Sequence, residues 1–305
     1  MEFEDRLKLI EELKMGVVKL STLPLDLRDD EEIVLAGIYH DPDELKSASD
    51  RLKANEDIAL YAISRNIECI EYLSPELFSN KSFAMKAVSI SRIVFPHLTD
   101  HLKDDYDVAL KAVEHYGDLL EHVSTRLQSN RNIVLNAVKN CPYALEFAPS
   151  EFRSDKVLIL DALKASHWKN IIFLQLIADS LKNDKKFASK IVRKNGLAIK
   201  YFSFEIRSDK DLVTQAVIND ARAYEYASRE VRNIPELVAI VLLNNCSMEN
   251  KSRYNNLGKI EYIIPREALK QAKEIVKNTQ LEMQLKKAKK LKKAETNQDE
   301  EYLSY

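Results

Sequence analysis

The sequence has few of the residues that mark several large protein classes. Its 305 residues include only 5 glycines, 8 prolines and 3 cysteines, while 45% are hydrophobic. This composition excludes collagen-like, low-complexity and wholly disordered chains. Cys69, Cys141 and Cys246 lie far apart and form neither a CxxC nor a Cys/His pattern, which argues against a disulfide framework and a zinc site. We therefore expect a cytoplasmic protein that binds no metal and no cofactor.

A strong net charge and a long apolar run are also missing. The 46 basic and 48 acidic residues give a formal charge of −2, which excludes the general excess of Lys and Arg found in nucleic-acid binders. No stretch approaches the roughly 20 apolar residues of a membrane helix. The first residues, MEFEDRLKLIEELK, are acidic where a secretory signal is basic. We expect no membrane span and no Sec-type export.

Motifs of the common enzyme classes do not occur. The sequence contains no glycine-rich phosphate loop, no GxSxG elbow and no HExxH. His97 and His101 form an HxxxH spacing, but no carboxylate or cysteine joins them at a spacing typical of metal ligands. We interpret them as surface histidines and expect that the protein is not an enzyme.

What the sequence does contain is a pattern that recurs every 25 residues. Its copies begin at Leu27, Leu52, Leu77, Leu102, Leu127, Phe152, Leu181 and Ile206. The spacing is 25 residues except for 29 between the sixth and seventh copies. A degenerate ninth copy begins at Val231, and residues 2–26 resemble another degenerate copy. Self-similarity at a fixed period of this length indicates stacked supersecondary units.

The first residue of each copy is called position 0, and position 3 is then always Asp or Asn. Such a residue caps a helix by accepting hydrogen bonds from its first free amides. Apolar residues at positions 6, 7, 8, 10 and 11 predict a buried helix, and Asp41-Pro42 or Asn195-Gly196 predict its end in a proline-marked or left-handed turn. Apolar positions 17, 18 and 21 predict a second, shorter helix. We therefore expect an all-α fold, an α-solenoid of about ten 25-residue helical-hairpin repeats with a lysine-rich C-terminal helix.

The repeats resemble the helical family catalogued as domain of unknown function 4116. Copies in that family run as Leu-x-x-Asp, an apolar-Ala-Val helix, then Asn-Gly-x-Ala-Leu-x-Tyr-Ala-Ser. The closest copies here are VKNCPYALEFAPSEFRSD (138–155) and VRKNGLAIKYFSFEIRSD (192–209), and the second helix of the third copy departs most. The resemblance covers roughly residues 27–265 and implies a partner-binding solenoid without catalytic residues.

These patterns divide the chain into four segments. Residues 1–26 are expected to be a degenerate capping repeat and residues 27–265 the repeat domain. Residues 266–294, with 10 basic and 3 acidic residues, are expected to form a basic helix, and the acidic residues 295–305 a disordered tail.

A recurring ring at position 20 is the leading candidate for a partner-binding surface, because aromatic side chains make good interface anchors. The same rings could instead seal the joints between repeats. Trp168, in the four-residue insert of the sixth copy, is either a second anchor or a plug between neighbouring repeats. The candidate partner-binding residues are Tyr72, His97, His122, Phe147, Trp168, Tyr201, Tyr226 and Tyr262.

Basic residues suggest an alternative function. Position 1 is basic in seven of nine copies, beginning with Arg28 and ending with Arg232. With the lysine-rich segment this row could bind nucleic acid or anionic lipid, although a row paired with the glutamates at position 24 is the simpler interpretation. The basic surface of the segment comprises Lys286, Lys287, Lys289, Lys290, Lys292 and Lys293.

The glutamates of residues 295–305, followed by Leu303, resemble the C-terminal signals of proteins delivered by bacterial type IV secretion systems. The sequence therefore favours a non-enzymatic protein-protein interaction scaffold, in one version a translocated effector that binds a host protein. It identifies no partner.

Overall fold

A computed structural model of the chain describes residues 3–246 and 263–279, and these residues form helices and no strand. Ten longer helices recur along the chain, and residues 266–279 are also helical. The ten are α1 Phe3–Lys14, α2 Glu31–His40, α3 Glu56–Arg65, α4 Lys81–Ile90, α5 Tyr106–His115, α6 Arg131–Asn140, α7 Lys156–Ala165, α8 Lys185–Val192, α9 Lys210–Asn219 and α10 Pro235–Cys246.

The predicted helix starts are confirmed. The residues at position 3, from Asp30 to Asp209, have extended backbones, and each side chain accepts a hydrogen bond from an amide of the first turn that follows. Positions 6, 7, 10 and 11 are buried along α2 to α9. Sequence periodicity and capping chemistry together therefore place these helices.

The second element of the repeat differs from the predicted short α-helix. In most repeats it is a 3₁₀ helix, and only in the third is it a single α-turn, Val94–His97. The 3₁₀ helices are Pro42–Ser47, Ile67–Tyr72, Gly117–His122, Pro142–Glu146, Ile172–Leu176, Gly196–Tyr201 and Ala221–Tyr226. Five or six residues suit the tighter 3₁₀ geometry, which rarely extends further.

A third element also appears that the hairpin prediction missed. One helical turn surrounds position 0 of each repeat and buries that residue in eight of nine copies. These turns are Leu27–Asp29, Asp50–Lys53, Pro75–Ser79, Asp100–Lys103, Thr125–Gln128, Ser150–Ser154, Asp179–Lys182, Phe204–Arg207 and Arg229–Arg232; Leu20–Thr22 is a further 3₁₀ turn. Each repeat is thus a short turn, a long helix and a 3₁₀ helix.

The predicted left-handed helix exit is wrong. Position 14 is extended in most repeats, with φ of −133° at Asp41 and −144° at Asn195, and it has a negative φ at Ser166 as well. The reason is a second cap, because Asp41, Asn66, Asn195 and Asp220 each accept a hydrogen bond from the first turn of the following 3₁₀ helix. Positive φ is confined, within the described residues, to Gly16, His167 and Trp168.

The contacts divide the chain into two compact units, residues 1–153 and 154–305. In the first unit, each of α1 to α5 packs against the next long helix, and 3₁₀ helices of neighbouring repeats also pack together, as 42–47 does with 67–72. In the second unit, α8, α9 and α10 pack in succession, and so do 172–176, 196–201 and 221–226. Within each unit the repeats therefore contribute to two layers.

A backbone hydrogen bond between two fixed positions recurs in six copies of the repeat and joins the start of one short turn to the short turn before it. The amide at position 22 donates to the carbonyl at position 1 of the preceding turn, as from Ser74 to Lys53 at 3.1 Å and from Ser228 to Arg207 at 2.9 Å. Pro149 occupies position 22 of the fifth repeat, and a proline has no N–H to donate. This bond is therefore missing just before the boundary between the two units.

Candidate partner-binding surface

The 3₁₀ helices separate buried from accessible positions with great regularity. Positions 17, 18 and 21 are buried in all eight repeats from Leu27 to the copy beginning at Ile206, including Glu44 at position 17 of the first. Position 20 is not buried in any of these repeats. The position-20 residues are Ser47, Tyr72, His97, His122, Phe147, Leu176, Tyr201 and Tyr226. We call their side chains the position-20 surface.

Individual rings of the position-20 surface differ in exposure. His97 and His122 are exposed, whereas Tyr72, Phe147, Tyr201 and Tyr226 are half-buried. His97 lies beside the ring of Phe78, with 5.9 Å between the ring centroids, and the ammonium of Lys200 lies 4.7 Å from the ring centre of Tyr201. Each of these side chains therefore keeps an accessible part.

Within each unit the elements that end in position-20 residues pack against one another. In the first unit, the turn ending at His97 packs on 117–122, which packs on 142–146 just before Phe147. In the second unit, the helices ending at Leu176, Tyr201 and Tyr226 pack in order. Two patches result, one in each unit.

Trp168 lies in an unusual turn after α7. His167 and Trp168 both have left-handed backbones, with φ of 51° and 61°. The Trp168 amide donates to the Leu163 carbonyl at 2.8 Å, and the Asn195 side chain donates to the Trp168 carbonyl at 2.8 Å. The indole is half-buried, so it is neither a fully enclosed plug nor a fully exposed anchor.

The row at position 1, interpreted above as paired with the glutamates at position 24, is half-buried in every repeat. Arg28 donates to the carbonyls of Leu23 and Ser21 at 2.7 Å, and Arg153 donates to the carbonyl of Glu146 at 2.9 Å. Gln128 makes the same kind of contact with Leu120. At Arg28, Gln128 and Arg153 position 1 therefore satisfies carbonyls that precede it in the chain. Lys53 and Lys182 contact Asp50 and Asp179 instead, and the ring of Phe78 lies beside that of His97.

Ion pairs instead recur at the start of the long helices. Lys81 contacts the capping carboxylate of Asp105 at 2.8 Å, and Lys185 contacts that of Asp209 at 2.5 Å. The neighbouring lysine and the helix amides hold the pKa of Asp209 below its usual range, against an opposing effect of burial. Arg6 pairs with Asp30 in the same way at 2.5 Å, so α1 occupies the place of a long helix.

Two predicted sites fall partly or wholly outside the described residues. Tyr262 and the lysines at 286, 287, 289, 290, 292 and 293 lie there, and so do residues 295–305. Within residues 3–246 and 263–279, no group of His, Cys, Asp and Glu side chains could hold a metal ion. None of the helices in the same part of the chain is long and apolar enough to cross a bilayer.

One buried tyrosine was not predicted from the sequence. Tyr224, at position 18, is fully buried, and its hydroxyl donates to the Arg232 carbonyl at 2.8 Å. Burial raises the pKa of this phenol to about 12. The sequence signal for its burial is that position 18 is apolar in every other repeat. Because Tyr224 is fully buried, it belongs to the core and not to the partner-binding surface.

Comparison with known proteins identifies one family. The model of the family described as Domain of unknown function (DUF4116) matches residues 24–78, 80–128, 130–182, 158–207 and 184–232. These matches cover about two thirds of the chain. No curated protein and no solved structure gives a significant match.

Proposed function

We propose that this chain, which belongs to the DUF4116 repeat family, is a non-enzymatic interaction scaffold that binds a protein partner through its position-20 surface. The repeats within each unit would stack as in an α-solenoid. In such an array each repeat contacts its neighbours, and residues at one position of the repeat form a continuous surface.

The observation that supports this proposal is the burial pattern of the 3₁₀ helices. If position 20 only sealed the joints between repeats, its side chains would be buried like those at positions 17, 18 and 21. They remain accessible in all eight repeats, and six of the eight are Tyr, His or Phe. Accessible rings on a rigid element lose little conformational entropy on binding, which makes them effective anchors.

The experiment compares two sets of substitutions on the 3₁₀ helices. The first replaces Tyr72, His122, Tyr201 and Tyr226 with alanine. The matched control replaces four exposed position-19 residues of the same layer with alanine, namely Glu71, Glu121, Glu146 and Glu225. Both variants must first give the circular dichroism spectrum and urea midpoint of a folded protein.

Partners recovered from lysate by the wild type are identified by mass spectrometry, and their affinity for each purified variant is then measured. We expect the position-20 variant to weaken binding at least tenfold and the position-19 control to change it less than threefold. Equal effects of the two variants would contradict the proposal. Recovery that disappears on nuclease treatment would instead favour nucleic-acid binding by the lysine-rich segment and the position-1 row.

Delivery into a host cell is a separate part of the proposal and rests on sequence alone. Its basis is the group of glutamates in residues 295–305 together with Leu303. A reporter enzyme fused ahead of residue 1 would detect transfer from a bacterium with a type IV secretion system. Transfer that persists after replacement of Glu300, Glu301 and Leu303 with alanine would contradict this part and leave the scaffold proposal intact.

A further inference from the structure

A groove of about 570 Å³ opens on the long-helix layer of the first unit, away from the 3₁₀ helices. Helices α1, α2 and α3 form its walls. Its lining combines apolar side chains, two tyrosines and three carboxylates. The volume lies in the range of pockets that bind a small molecule or a few residues of a peptide.

One small residue lines the groove where the next repeats have long side chains. Ala36 lies at position 9 of the first repeat, where the following repeats have the longer side chains of Tyr61, Lys86 and Lys111. Ala36 is 2% exposed and lines the groove together with Ile58. Ala36 therefore places a short side chain at the groove, where the next three repeats have a long one.

Three carboxylates line the rim of the groove, and two of them already contact arginines of this chain. Glu31, Glu32 and Asp57 line it, against one lysine, Lys14. Glu32 is paired with Arg6 at 2.9 Å, and Glu31 contacts Arg51 at 3.5 Å. Asp57 is exposed and forms no ion pair within residues 3–246 and 263–279, although Lys86, which pairs with Glu56, also interacts with its charge. Residues 27–76 together have 5 basic and 13 acidic residues, so the surrounding chain also attracts cations.

The tyrosines add a preference for guanidinium. Tyr39 lines the groove, is 51% exposed, and already has the guanidinium of Arg65 stacked 5.2 Å from its ring centre. Tyr61, on the opposite helix, is half-buried. Arginine stacks on aromatic faces, donates to carboxylates in a fork geometry and packs its aliphatic stem on apolar surface.

We propose that this groove binds an arginine side chain presented by a basic peptide segment of a partner protein. The guanidinium donates to Asp57 and Glu31, lies against the rings of Tyr39 and Tyr61, and places its stem over Ala36 and Ile58. The site lies on a different layer from the position-20 surface. It would add a charge requirement to partner choice and does not depend on that surface.

The test uses a fluorescein-labelled tetra-arginine peptide and the full chain in 150 mM salt, with fluorescence anisotropy as the readout. Asp57→Asn introduces the residue type found at the equivalent Asn132, and Ala36→Lys introduces the one found at Lys86. The matched control is Glu71→Gln, which removes the same charge from an exposed site on the other layer of the same unit.

We expect saturable binding by the wild type and a loss of about tenfold in affinity for Asp57→Asn and for Ala36→Lys, since each removes or competes with a charge-assisted contact. Glu71→Gln should change the affinity less than twofold. A peptide that does not saturate the wild type, or that loses the same affinity with Asp57→Asn and Glu71→Gln, overturns the proposal.

Further comparisons separate guanidinium recognition from misfolding and from attraction by charge alone. If Ala36→Lys does not fold, Asp57→Asn decides the test, because it changes only an exposed side chain. A tetra-lysine peptide that binds as tightly as tetra-arginine also overturns the proposal, since it shows attraction by charge without guanidinium recognition. The position-20 alanine variant must bind the peptide like the wild type, which separates this site from the proposed scaffold function.

Discussion

Single glycines show how one residue type meets different physical demands in this chain. A Cβ added at Gly117 would lie 2.2 Å from the Ala137 carbonyl oxygen and 2.7 Å from the Cys141 amide nitrogen. A Cβ added at Gly37, inside α2, would meet Leu20 Cβ at 3.4 Å and Glu44 Cβ at 3.8 Å, which are ordinary contacts. Gly117 is therefore needed for close approach between repeats, whereas Gly37 only weakens its helix.

The two glycines give opposite predictions. Gly117→Ala should lower the free energy of unfolding by at least about 2 kcal/mol, because the backbone of the next repeat must move. Gly37→Ala should leave it unchanged or raise it by up to about 1 kcal/mol, because alanine has a much higher helix propensity than glycine. Urea unfolding of both variants measures the difference, and equal destabilisation would contradict this account of Gly117.

His167 gives a third prediction at the same scale. A left-handed backbone costs a non-glycine residue roughly 1 to 2 kcal/mol. His167→Gly removes that cost and adds a smaller entropic one in the unfolded state, so the thermal midpoint should stay constant or rise. Lys190→Gly, at an exposed site within α8, should lower stability by about 1 kcal/mol. A lower midpoint for His167→Gly than for Lys190→Gly would refute this interpretation of the turn.

At the scale of an element, the start of each long helix depends on one side chain with two tasks. One carboxylate oxygen of Asp105 accepts from the amides of Asp107 and Val108, and the other contacts Lys81 of the preceding repeat at 2.8 Å. Asn130 performs only the first task, because an amide provides no negative charge. The choice between Asp and Asn at position 3 thus sets whether a helix start is also linked to its neighbour by charge.

This dual role predicts a pH dependence of stability. The contacts with Lys81 and the helix amides hold the pKa of Asp105 below its ordinary value, against the opposing effect of burial. A group with a depressed folded pKa stabilises the fold above its unfolded pKa, near 4, and loses that contribution as the pH falls through the folded value. Asp105→Asn should therefore show a smaller loss of stability between pH 6 and pH 2.5 than the wild type.

Urea midpoints across that pH range measure the effect. Asp105→Ala should in addition cost about 1 kcal/mol at neutral pH, because it removes the cap as well. Asp100→Asn, which changes an exposed carboxylate of the preceding turn, should keep the wild-type pH dependence. The same pH profile for Asp105→Asn and the wild type would contradict the assigned role.

At the scale of the whole molecule, the 25-residue period is the unit of folding. Long helices of neighbouring repeats pack in succession within a unit, and the amide at position 22 reaches back to position 1. Neighbouring repeats contact each other through equivalent positions. If one complete repeat is removed, the repeats on either side of it should therefore pack against each other.

Deletion of residues 102–126 tests this prediction. We expect a folded protein with the helical circular dichroism spectrum retained per residue and a lower urea midpoint. Deletion of residues 102–113, about half a repeat, should abolish cooperative unfolding, because it shifts every later position out of register. A similar midpoint for the two deletions would show that the period is not the folding unit.

Much of the fold could be predicted from the sequence because its causes are local and repeated. Asp or Asn at position 3 determines where α2 to α9 begin, and the apolar positions determine which faces are buried. The second element could not be predicted as a 3₁₀ helix, because the same apolar spacing over six residues suits either helix type. The burial of Tyr224 depends in addition on a partner that the sequence does not reveal. Its hydroxyl needs a hydrogen-bond acceptor inside the core, and the Arg232 carbonyl is that acceptor.

The candidate surfaces could likewise be predicted only in part from the sequence. The sequence by itself determined that a ring recurs at position 20 and that long donor side chains recur at position 1, because recurrence is a property of the chain. Only the tertiary structure decided that position 20 stays accessible while position 1 is half-buried, with Arg28 and Arg153 turned back onto carbonyls such as that of Glu146. It also decided that Ala36 lines a groove beside Tyr39 and Asp57. Accessibility and cavities depend on how neighbouring repeats pack, and a single repeat does not contain that information.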